Sequence, residues 1–264
     1  NKNTGSFEFG VVLITEIDKE RGNRIKLEGV KSFSDIAGKQ AAAFTIFADI
    51  NRPAYIHEAC LQYAAENGKL VRYAVYGSTD IGSMDREALT EYAQTLENSG
   101  ARILLCPANG ITCTLSDNHS ENFAEYAQSF RYIADIFRVH APSVATVWQI
   151  CSCNSAQASL YYPGDMYADY VEISLCREGG KDNLAGLISA YGYKKPIILE
   201  ACLDIGENSG SDYAGELSEF FAYLPVIYPQ IKALFLPDIT EYERGGIFVD
   251  LLNTVRTGIA NPFY

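Results

Sequence analysis

Apolar positions along this chain fall into short runs that alternate with longer amphipathic stretches from one end to the other. The short runs read as strands at Phe9–Thr15, Ala43–Asp49, Leu70–Tyr76, Arg102–Cys106, Ala145–Ile150, Tyr170–Cys176, Pro196–Glu200 and Ile231–Leu236. Helical spacing predicts helices at Ala54–Asn67, Asp85–Ser99, Glu121–His140, Leu184–Tyr191, Tyr213–Tyr228 and Gly246–Gly258. The boundaries carry their own signals. Ser83-Met84-Asp85-Arg86 offers capping oxygens ahead of an apolar repeat at Leu89, Tyr92, Ala93 and Leu96. Asn98-Ser99-Gly100 and Asn67-Gly68 supply glycines for left-handed helix ends.

Strands that alternate with helical crossovers form parallel sheets covered on both faces, and eight such repeats close into a barrel. The expected fold is therefore α/β, a single (β/α)8 TIM barrel spanning residues 1–264, with an open doubly wound sheet as the alternative. No internal repeat, low-complexity tract or linker divides the chain. Barrel chemistry sits at the carboxyl ends of the strands. There the sequence places Asp49, the segment Cys106-Pro107-Ala108-Asn109, Trp148-Gln149, Glu200 with Asp204 and Glu207, and Asp238. Carboxylates and aromatics dominate this rim. Two carboxyl groups flanking a scissile bond are what glycoside hydrolysis needs. Trp148 reads either as a platform for a sugar ring or as a core residue beneath the barrel mouth.

Composition narrows the classes. With 48% hydrophobic and 20% charged residues the chain is ordinary for a globular protein. A formal net charge of -12 and the lack of any lysine- or arginine-rich run argue against a nucleic-acid partner. No apolar run is long enough to span a bilayer. The first residue is Asn1, so we expect a processed form or an excised domain of a larger protein, extracellular or on a cell surface. Seven cysteines cannot all pair within one chain, and most are expected to be small buried residues. Three separated histidines give no metal-binding spacing, and no cofactor fingerprint or nucleophile elbow occurs, so neither metal nor cofactor is expected. His57-Glu58 is expected as a pair on a helix surface. Asn118-His119-Ser120 matches a glycosylation sequon.

One stretch is more specific. Ala145-Thr146-Val147-Trp148 leads, after a short interval, to Tyr161-Tyr162-Pro163-Gly164-Asp165 and then to an Asp169-Tyr170 strand start. Lys195-Pro196 stands before a strand ending in Glu200, and Tyr228-Pro229 before the last strand. In these features Ala124–Cys176, and more loosely residues from Asp85 to Asp238, resemble glycoside hydrolase family 26, the family of β-mannanases and some β-glucanases. The resemblance implies an acid/base glutamate in a His-Glu-Met-Asn-Gly motif closing strand four. Laying Asn109-Gly110 on its last two residues puts Pro107, which has no proton to give, where that acid belongs. It further implies a nucleophile at Glu200. The interval from Pro196 is one residue short, and a one-residue shift would turn that side chain to the other face. Glu172 stands where the family has glycine; it is either a relocated acid or the partner of a buried Arg, Lys or Tyr. Ser174 replaces a usual acidic residue.

These readings leave three functions open. The first is a barrel that has lost two-carboxylate hydrolysis and retains binding of a β-linked polysaccharide or oligosaccharide, or a scaffolding role. Its expected binding residues are Trp148, Asn109, Tyr161, Tyr162, Asp204 and Asp238. The second is an active endo-β-mannanase or β-glucanase that uses Glu200 with Glu172, Asp204 or Asp238. The third is an interaction module of a larger surface protein, with its barrel mouth plugged.

Overall fold

A computed structural model describes residues 8–12, 41–49, 57–76, 85–107, 123–151, 153–175, 180–200, 224 and 227–237. The strands are β1 (Glu8–Val12), β2 (Ala43–Asp49), β3 (Leu70–Tyr76), β4 (Arg102–Cys106), β5 (Ala145–Cys151), β6 (Tyr170–Ser174), β7 (Ile197–Glu200) and β8 (Ile231–Pro237). Between them run α1 (Glu58–Glu66), α2 (Arg86–Asn98), α3 (Phe123–His140), α4 (Ser155–Leu160) and α5 (Gly180–Tyr191). All strand pairings are parallel and follow chain order, and β1 pairs with β8 as well as with β2. The result is a curled parallel sheet with helices packed on its outer face.

Side chains divide by the two-residue period of the strand. Ala43, Leu70, Ala74, Leu104, Cys106, Val147, Ile198, Ala233 and Phe235 form a cluster on the concave side. The alternate residues, such as Ile46, Val71, Tyr73, Leu105, Trp148, Ile173 and Leu199, join the larger core shared with the helices. Both faces are therefore dry, which is why these strands read as apolar runs rather than as alternating patterns.

Local chemistry fixes the helix ends. Asp85 caps α2 by accepting a hydrogen bond from the Glu87 amide at 2.9 Å, and α2 buries the four residues its sequence repeat singled out. Gly100 and Gly68 adopt φ of 68° and 61° at the ends of α2 and α1. The structure also adds an element: α4 starts at a capping box, in which Asn154 and Gln157 satisfy each other's backbone amides. Its six residues are too short to leave a periodic signal. The expected helices at 246–258 and most of 213–228 lie outside the described residues.

One expectation is corrected here. His57 is not on a helix surface: it occupies the N-cap of α1 and is buried, with its Nδ1 2.6 Å from the Tyr73 hydroxyl. Tyr92 in turn donates to the Tyr73 oxygen at 3.0 Å, so a buried polar chain ties α1, β3 and α2 together. The cause lies in the sheet, because Tyr73 faces outward and needs a partner.

Burial lowers the His57 pKa from 6.5 to about 4, so the folded state holds this ring neutral. The unfolded chain takes up the proton first as pH falls. Stability is thus full above about pH 6.5 and declines towards pH 4, by about 3 kcal/mol at most from this group. Chemical denaturation between pH 7 and pH 4 should show that slope, and His57→Gln should remove this part of it.

Candidate functional site

The concave face of the sheet carries a polar cluster in the middle of an apolar lining. Arg72 on β3 and Glu172 on β6 are fully buried and meet side by side. The guanidinium donates from Nε to Glu172 Oε2 at 2.6 Å and from Nη2 to Oε1 at 2.5 Å, the two-pronged geometry that suits a carboxylate. Arg72 Nη2 also lies 3.2 Å from Glu200 Oε1 on β7. Gln149 on β5 spans the two acids, its amide donating to Glu172 at 2.9 Å and to Glu200 at 3.1 Å. Cys106 on β4 sits 3.8 Å from Glu172 Oε2, and the Phe235 ring lies 5.8 Å from the guanidinium carbon.

Strand register brings these groups together. Gln149 pairs with Glu172, and Ser174 with Glu200, across adjacent strands, so all four point to the same side. The short interval before Glu200 does not turn it outward. The β7–β8 ladder shifts instead between Ile197 and Ile198, passing over Lys232, and Glu200 keeps its inward direction.

Two carboxylates share one buried guanidinium. Burial pushes Glu200 above the ordinary carboxylate range. Arg72 opposes that shift, the Glu172 charge adds to it, and hydrogen bonds from Ser174 and Gln149 oppose it again. For Arg72 burial works against the charge, but attraction to Glu172 and Glu200 wins, and its pKa stands well above the usual value. Burial likewise raises the Cys106 thiol, with the Glu172 charge adding to it, so this sulfur is a weak donor and not a nucleophile. Since Glu172 and Glu200 bond the same two donors, their nearest oxygens are closer together than the roughly 6.5 Å lower limit for inverting glycosidases.

The other candidate residues lie elsewhere. Pro107 follows the inward Cys106 and belongs to the opposite face, where it lines a small apolar cavity with Val75, Leu89, Leu105 and Phe137. Trp148 is fully buried on the helix-facing side, with ring centroids 5.6 Å from Tyr161, 4.6 Å from Tyr162 and 5.1 Å from Tyr191. Tyr161 is buried in the same aromatic group, its hydroxyl 2.7 Å from the Cys153 sulfur, and the half-buried Tyr162 donates to Asp165 at 2.6 Å. Asn109, Asp204, Glu207, Asp238 and the Asp49 side chain lie outside the described residues. Among the described residues no group of three His, Cys, Asp or Glu side chains is placed to hold a metal ion.

Of the alternatives for Glu172, pairing with a buried Arg is the arrangement seen. Sequence reading missed that partner. Its signal was an arginine inside the otherwise apolar strand Leu70-Val71-Arg72-Tyr73, two residues from Leu70 and Ala74 on the inward face.

No sequence family matches the chain, and no curated protein does. Solved structures do. A β-(1,4)-mannanase of Podospora anserina, with a family 26 domain and a CBM35 module, matches at TM-score 0.60 and 13% identity over 96% of this chain. This chain spans 61% of that one. A family 26 β-mannanase of Bacteroides ovatus gives TM-score 0.59 and 13% identity, covering 97% of this chain and 90% of its own. A glycoside hydrolase family 5 enzyme of Prevotella bryantii gives 0.61 and 11%, covering 96% of each. At such identities the likeness is one of fold: a family 26-like glycoside hydrolase fold.

Two outcomes follow from the site's packing. Arg72→Met leaves two acids without their cation and should cost about 3–5 kcal/mol in urea denaturation at neutral pH. Trp148→Ala should cost about 3–5 kcal/mol as well, because it empties a buried site among three tyrosines.

Proposed function

We propose that this chain is a single complete (β/α)8 barrel of the glycoside hydrolase kind that has lost ordinary two-carboxylate hydrolysis and serves in β-glycan binding or scaffolding. The observation that carries this reading is the Arg72–Glu172–Glu200 cluster. An acid/base must hold a proton beside the glycosidic oxygen. Glu172, among the described residues the inward carboxylate beside Glu200, is fully buried and clamped by Arg72 instead. The inward position closing β4 is a thiol, Cys106, followed by Pro107. Glu200, with about a tenth of its side chain exposed, is the member of the cluster that can touch a ligand.

The pairing of β1 with β8 supports the closed barrel. We assign Asn109, Asp204 and Asp238 to the glycan-facing rim by their positions after strands four, seven and eight. Cys151 is disulfide-bonded, which favours an oxidising, extracellular setting. No described helix is long and apolar enough to cross a membrane.

Calorimetry with manno- and gluco-oligosaccharides should show binding while mannan, mixed-linkage glucan and xylan release no reducing ends. No binding across a broad glycan panel would remove the glycan role. Release of reducing ends at ordinary enzyme rates would overturn the loss of hydrolysis.

A second reading has two observations in its favour. The Glu172 and Glu200 oxygens are close enough for a retaining pair, and Glu200 is shifted towards holding a proton. An active enzyme of this kind would yield products of retained anomeric configuration by NMR, and Glu200→Gln would stop it.

A further inference from the structure

One row of residues stands on the carboxyl side of the clamp. Cys151 on β5 is in register with Ser174 on β6, and Ser174 with Glu200 on β7. By the two-residue period of the strand all three share the inward side with Gln149 and Glu172. All three are buried. The Ser174 hydroxyl donates to the Glu200 carboxylate, and the Leu175 amide donates to the Glu200 carbonyl at 2.8 Å. Ser174 therefore joins Cys151 to Glu200, the member of the cluster with some contact with the surface.

Cys151 is disulfide-bonded. Among the described residues Cys60, Cys106 and Cys153 are free thiols. Of the seven cysteines this leaves Cys113, Cys176 and Cys202, all outside the described residues, as possible partners. Each follows the carboxyl end of a strand in the sequence: Cys113 comes after β4, Cys176 after β6 and Cys202 after β7. Whichever of them it is, the bond ties Cys151 to a connection that leaves the same end of the parallel sheet as Glu200. The free thiols do not compete for it. Burial pushes the Cys60 thiol up to about 12 and raises those of Cys106 and Cys153, so all three stay protonated at neutral pH. A thiolate is the species that attacks a disulfide, and these cysteines do not supply it.

We propose that the Cys151 disulfide is a positioning element for Glu200, which it holds in place through Ser174, so that the state of the site follows the redox state of the chain. Reduction by a dithiol breaks the S–S bond. Two electrons and two protons pass to the two sulfurs, and the reductant closes into a cyclic disulfide. The end of β5 then loses its covalent tether, the Ser174 hydroxyl loses its fixed direction, and Glu200 opens to water. The positioning role is independent of what the site binds, because it is read on Glu200 itself.

A digest of the unreduced protein with its free thiols blocked tests the bond. Mass spectrometry should find the Cys151 peptide joined to that of Cys113, Cys176 or Cys202. Labelling of carboxyl groups with a carbodiimide and an amine tests the role. After dithiothreitol, at a concentration that leaves circular dichroism unchanged, Glu200 should label about tenfold faster, as a protected group does on local opening. Its pH profile should move down, since burial is the main cause that holds it up, while the exposed Glu87 and Glu91 keep theirs. Cys151→Ala should give the Glu200 profile of the reduced chain, and dithiothreitol should change it no further. A bond that merely supports the fold would lower the melting temperature and leave the Glu200 profile in place, which would overturn the proposal. So would a free Cys151, a Cys151 joined to Cys60, Cys106 or Cys153, or global unfolding of both the reduced chain and the variant.

Discussion

Everything at the centre of this curled sheet depends on one interaction, the clamp of Arg72 on Glu172. A charge taken from water into a dry core survives only when it is paired and hydrogen-bonded. Arg72 comes from β3 and Glu172 from β6, so their pairing fixes the separation of strands on opposite sides of the sheet. Gln149 and Glu200 then have little freedom: the amide bridges both acids, and the second carboxylate takes the remaining side of the guanidinium. The surrounding apolar layer of Val147, Ile198 and Phe235 keeps water out and makes the pairing obligatory.

That constraint gives the site its functional character. A glycosidase leaves its two carboxyl groups poised across an open cleft, with protonation adjusted to the reaction. Here, among the described residues, one arginine holds both inward carboxylates, gripping Glu172 and restraining Glu200. Glu200 keeps some contact with the surface and an upward pKa shift. The fold is that of family 26-like glycoside hydrolases, and within it Arg72 holds two inward carboxylates, Glu172 and Glu200.

The fold was legible because it rests on period and punctuation. Strands buried on both faces leave continuous apolar runs, and Asp85, Gly68 and Gly100 mark helix ends by local geometry that needs no tertiary context. The site was legible only in part. Glu172 stood out as an acid inside a strand, but its partner is 100 residues away, and no local pattern links β3 to β6. The direction of Glu200 depended on a ladder shift set by β8, which the spacing before β7 does not record. Trp148 shows the same limit: strand parity decides which face it takes, and its neighbour Gln149, the less conspicuous residue, is the one that enters the cluster.

A double-mutant cycle on Arg72→Met and Glu172→Leu tests most directly whether the clamp organises the sheet. Unfolding free energies of the two single variants, the double variant and the unaltered chain give their coupling. The account predicts coupling of at least about 2 kcal/mol, with the double variant more stable than Arg72→Met alone. Additive losses, with coupling near zero, would contradict it.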